Sequence, residues 1–71
     1  MVRLPNQRMF FFQWDSLLPM EAVRAKGFFE SGIVPESQRL ECFGVELAMR
    51  ALLGQTPVSK GDVIELTEIE N

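Results

Sequence analysis

The chain reads as a small α+β fold in the order β-α-α-β, with two helices packed on a short antiparallel sheet. Three observations predict it: an aromatic run at 8–14 that suits a pleated surface, two stretches at 19–31 and 36–53 bounded by helix start and stop residues, and a β-branched run near the C-terminus. At 71 residues the chain is expected to form one domain, 1–71, because neither half could bury enough apolar surface to offset its ordering entropy.

Residues 1–7, polar and broken by Pro5, read as a flexible arm. In the strand expected over 8–14, Phe10, Phe12 and Trp14 fall on one face and Met9, Phe11 and Gln13 on the other, so both faces carry apolar bulk and call for cover. Asp15 and Ser16 then open a helix over 19–31, with Pro19 in its first turn and Gly32 as its stop. Its apolar positions are Met20, Val23, Phe28 and Phe29, and Gly27 is a weak point in its interior.

After the connector Gly32-Ile33-Val34-Pro35, the pre-set φ of Pro35 favours a second helix over 36–53, ended by Gly54 and Pro57. Leu40, Phe43, Gly44, Leu47, Ala48 and Ala51 recur there at three- and four-residue steps, and Glu46 stands four residues before Arg50. The turn residues Lys60-Gly61-Asp62 lead into a strand over 62–67. Pairing that strand with the N-terminal one would set its acids against Arg3 and Arg8.

So small a domain usually needs a staple. Cys42 is the only cysteine, so no internal disulfide forms; with no histidine in the chain, a Cys/His zinc site is excluded too. Oligomerisation or partner binding remains, and neither a cofactor nor a metal is expected. The lone thiol fits a reducing compartment. With no targeting or membrane-spanning stretch in the sequence, a cytoplasmic location is expected. A net charge of -3 argues against non-specific nucleic-acid binding, which needs clustered Lys and Arg.

The catalytic inventory is thin. General acid/base and nucleophilic catalysis normally draw on histidine, which is missing, and Cys42 sits mid-segment with no base to activate it. Ser16, Ser31, Ser37 and Ser59 have neighbours that suggest capping and turns. Asp62, Glu65, Glu68 and Glu70 do not match a calcium loop and read as a solvated strand edge. Lys60-Gly61 reverses the order a phosphate loop requires. The chain is therefore expected not to be an enzyme.

The informative anomaly lies in the second expected helix. At ~100° per residue, Cys42, Val45, Met49 and Leu53 form an apolar stripe roughly opposite Leu40, Leu47 and Ala51. One monomer of this size can hardly cover both stripes, so the first is expected to be a dimer or partner interface. This makes the chain a non-catalytic protein–protein interaction module: a small inhibitor, adaptor or regulatory subunit of the kind bacterial and phage genomes encode.

The order strand (8–14), helix (19–31), Gly-containing turn (32–35), helix (36–53) resembles the ribbon-helix-helix family of dimeric repressors and antitoxins over residues 8–54. The resemblance implies a homodimer whose paired strands lie in the DNA major groove while the second helix packs in the dimer core. Carried onto this chain, it makes Arg8 and Gln13 the candidate nucleic-acid contacts, with transcriptional regulation the alternative function.

Overall fold

The computed structural model describes residues 1–69. Helix α1 spans Met20–Ser31, close to its sequence-predicted range. Pro19 leads into it, and Gly32 ends it at φ 78°, donating its N–H to Phe28 O over 2.8 Å. Glycine takes this left-handed conformation without the Cβ clash that other residues meet.

The face that α1 buries is not the one apolarity suggests. Met20, Val23, Arg24 and Gly27 are buried, a row at i, i+3, i+4 and i+7, whereas Phe28 and Phe29 are exposed. Gly27 holds its place by close approach: a Cβ there would lie 2.8 Å from Gln38 Oε1 and 2.9 Å from Leu66 Cδ1. The weak point in the helix is thus its closest seat on the sheet.

The second helix expected over 36–53 is absent. Pro35–Ser37 makes a single 3-10 turn, β3 (Gln38–Cys42) and β4 (Val45–Glu46) form an antiparallel hairpin, and Leu53–Gln55 makes another 3-10 turn. Gln38, Leu40 and Cys42 are buried, while Arg39 between them is exposed and Glu41 half-buried, which is the two-residue period of a strand. The helical spacing of Leu40, Phe43 and Leu47 arises because one strand's inward residue, the turn and the return of the chain fall at those steps. Gly44, at φ 77°, belongs to the turn.

The N-terminal arm is also a strand. β1 (Val2–Arg3) buries Val2, with Leu4 buried just beyond it, and pairs antiparallel with β2 (Met9–Phe10). The expected strand over 8–14 therefore contributes only two residues to the sheet, and 11–14 have no ladder partner.

β5 (Ile64–Glu68) starts two residues later than expected and lies at the centre of the sheet, parallel to β1 and antiparallel to β3. Its acids are not on an edge: Glu65 projects outward and meets Arg3 at 2.7 Å. Arg8 makes no ion pair among the described residues. Glu70 lies outside the described residues.

The sheet has five strands in the order β2-β1-β5-β3-β4, mixed rather than antiparallel, and carries one helix rather than two. The element order is therefore ββαβββ, with the central β1–β5 pair parallel. The core between α1 and the sheet includes Val2, Phe10, Met20, Val23, Leu40, Leu53, Ile64 and Leu66.

A reciprocal polar knot ties helix to sheet inside this core. The Arg24 guanidinium donates to Gln38 O at 2.6 Å and to Pro35 O at 3.3 Å, and the Gln38 side-chain amide donates to Arg24 O at 2.9 Å and Ile33 O at 2.8 Å. Burial holds the Arg24 pKa below its ordinary value, an effect that the charge of Glu46 opposes. The cation survives burial because carbonyl dipoles replace its water.

Candidate functional site

The stripe expected on a second helix is divided by the strands that replace it. Cys42 and Leu53 are 1% and 0% exposed and belong to the core, so they cannot meet a partner. Val45 on β4 and Met49 in the loop after it remain 50% and 46% exposed. Of the four residues expected at an interface, Cys42, Val45, Met49 and Leu53, only Val45 and Met49 are therefore open to solvent.

The Cys42 thiol is pushed above its ordinary pKa by burial and by the negative charge of Asp62, which the N-terminal ammonium partly offsets. A thiol in such surroundings is protonated at neutral pH and a poor nucleophile. No three Cys, Asp or Glu side chains among the described residues gather as metal ligands. No helix among them is long and apolar enough to cross a membrane.

Arg8 and Gln13, the expected nucleic-acid contacts, are both exposed and flank β2. The second helix that the ribbon-helix-helix resemblance places in a dimer core is not formed, so nothing supports that geometry around them. The aromatic strand divides by face: Phe10 is buried, Phe12 and Trp14 are half-buried against the core, and Phe11 is exposed.

What the sequence did not reveal is the β3–β4 turn. Cys42 pairs with Val45, leaving Phe43 and Gly44 as a two-residue loop with φ of 53° and 77°. Positive φ at both central residues makes this a type I′ turn, which favours Asn-Gly or Asp-Gly. A bulky aromatic in the left-handed region is disfavoured by its Cβ. Phe43 is nevertheless there, with its side chain 76% exposed. The sequence signal was an aromatic residue immediately before a glycine, read as part of a helical face.

Charge surrounds the same hairpin. Glu41 stands opposite Glu46 on β4 and opposite Glu65 on β5. Like charges at facing positions destabilise a sheet, and only Glu46, through Arg39 at 3.3 Å, and Glu65, through Arg3, have ion-pair partners. Glu41 has none among the described residues.

Two clefts open elsewhere. One of about 270 Å³ lies between the aromatic segment 11–14 and the loop 58–62, and one of about 470 Å³ lies between Leu4-Pro5-Asn6 and the C-terminal end of α1. The first is also lined by Ser59, Lys60 and Asp62 and the second by Glu30, Ser31, Thr67 and Glu68, but among the described residues no hydroxyl in either donates to a carboxylate, and Asp62 accepts from the Ser59 main-chain N–H at 2.8 Å. No protein-family model matches the chain, and no curated protein is similar to it in sequence.

Proposed function

We propose that this chain is a non-catalytic protein-binding module, an inhibitor, adaptor or regulatory subunit, that docks another protein through the tip of the β3–β4 hairpin. One observation carries the reading: Phe43 is both strained and exposed, and neither property serves the fold. Backbone strain of this kind concentrates at functional sites. A partner pocket that took up Phe43 would recover about 1.5–3 kcal/mol from burying an aromatic side chain. Val45 and Met49 add apolar surface nearby in the chain, and the unpaired Glu41 favours a basic rim on the partner.

Phe43→Asn tests the proposal, because asparagine fits the turn better than phenylalanine. The variant should be more stable than the parent by about 0.5–1 kcal/mol while losing the partner captured by the parent protein. A partner retained at full affinity by Phe43→Asn and by Val45→Asp would overturn the proposal.

A further inference from the structure

The cleft between the segment 11–14 and the loop 58–62 opens where the chain leaves β2. Phe11, Phe12 and Trp14 make one wall aromatic, and Val58 belongs to the other. Its size suits a small ligand. A dry cavity of about 150 Å³ accommodates benzene. The cleft, at about 270 Å³, therefore admits one ring with a short arm.

Small-molecule sites are mostly apolar, and a few placed polar groups fix the ligand's orientation. Here such groups come from a turn that is closed twice. Asp62 N–H donates to Ser59 O at 3.0 Å, and Asp62 Oδ2 accepts from Ser59 N–H at 2.8 Å. Gly61 takes the third position of this turn at φ 92°, a conformation that glycine tolerates. Lys60 takes the second position and lines the cleft.

These groups select an anion. Of the two charged side chains that line the cleft, Asp62 is engaged inside its own turn, whereas Lys60 has no ion-pair partner among the described residues. Trp14 Nε1 is buried and has no acceptor there either. Buried donors in folded proteins are nearly all paired, and both deficits here are of acceptors. Gln13 and Ser59 can donate or accept and so favour neither charge. A carboxylate, which only accepts, answers both deficits. Because the indole N–H is out of solvent contact in the free protein, meeting a bound acid requires the ring to turn.

We propose that this cleft binds a small monocarboxylate bearing one aromatic ring. The ring lies against Phe11, Phe12 and Trp14, and the carboxylate meets the Lys60 ammonium. In the sheet, β1 and β5 lie between β2, which leads into this cleft, and β3, which leads into the Phe43 turn. The site is therefore distinct from the proposed partner surface and does not depend on it.

Titration with 3-phenylpropionate, followed by fluorescence and by proton–nitrogen correlation spectra, tests the proposal. Trp14 is the only tryptophan, so its emission and its indole resonance are both unambiguous. A dissociation constant on the order of 1 mM is expected, with the indole proton moved downfield and amide shifts centred on 11–14 and 58–62. The uncharged 3-phenylpropanamide, of the same size, should bind roughly fivefold more weakly. Lys60→Gln alters only an exposed side chain and should remove that preference with the fold intact. Phe43→Asn should leave binding unchanged. Several outcomes would each overturn the proposal: no saturable change well above the expected constant, equal affinity for acid and amide, a preference that survives Lys60→Gln, shifts centred elsewhere, or binding lost in Phe43→Asn.

Discussion

Gly27→Ala sets two effects of opposite sign against each other. Helix propensity alone predicts a gain of about 1 kcal/mol, because alanine in a helix interior restricts the unfolded chain and glycine does not. The structure predicts the reverse. The new methyl would lie 2.8 Å from Gln38 Oε1 and 2.9 Å from Leu66 Cδ1, both on fully buried side chains. Ordinary contact requires more than half an ångström beyond this, so α1 must lift from β3 and β5 or both side chains must move. Overpacking of this kind costs roughly 1–3 kcal/mol, and displacing the Gln38 amide weakens two hydrogen bonds, one buried and one partly buried, worth about 1 kcal/mol each. The net expectation is a loss of about 1–3 kcal/mol, or a fall in Tm of about 4–8 °C per kcal/mol for a domain of this size. Urea unfolding followed by Trp14 fluorescence and by circular dichroism would measure it. Leu66→Val should relieve part of the clash, so Gly27→Ala should cost less in that background. An alanine variant as stable as the parent would show that helix and sheet do not meet as closely as described.

Other expectations follow from the same contacts. Gln38→Ala should cost about 2–4 kcal/mol through two lost hydrogen bonds, one buried and one partly buried, and the cavity left behind, and should speed amide exchange at Ile33 and in the turn that follows it; a loss under about 1 kcal/mol would refute a tying role. Because folding raises the pKa of Cys42, the folded state binds more protons than the unfolded one above the thiol's ordinary value of 9.0. Its contribution is thus fully present below that pH and is lost as pH rises through the folded pKa. Denaturation at neutral and alkaline pH should show a steeper alkaline loss in the parent than in Cys42→Val; equal slopes would contradict the assignment. The intact parent should also react slowly with thiol reagents at neutral pH, and rapid labelling of the folded protein would mean that Cys42 is not core.

The sequence displayed some elements and concealed others for identifiable reasons. α1 was legible because its termini carry local chemistry, Pro19 before it and Gly32 after it, which needs no tertiary context to act. The C-terminal strand was legible from its turn and β-branched residues. Residues 36–53 were misread because an alternating strand, a two-residue turn and a return strand place Leu40, Phe43 and Leu47 at steps that also fit a helix. Val2–Arg3 was missed because two residues are too short to show a period, although Val2 is wholly buried. The site followed the fold: once the second helix was assigned, the buried Cys42 and Leu53 fell on an outward stripe with Val45 and Met49, and the exposed Phe43 fell with Leu40 and Leu47.

The sequence by itself determined that no disulfide closes within this chain, that histidine chemistry is absent, and that one helix ends at Gly32, because these depend on composition or on backbone preferences within a few residues. Only the tertiary structure decided which apolar residues face water. Phe28 and Phe29 yield the buried face of α1 to Arg24 and Gly27 because the sheet comes too close there for an aromatic ring and offers carbonyls that hold a guanidinium. Phe43 is exposed because the chain must reverse at that position to return Val45 beside Cys42. Burial is a property of neighbours distant in sequence, and no local pattern in 71 residues states who those neighbours are.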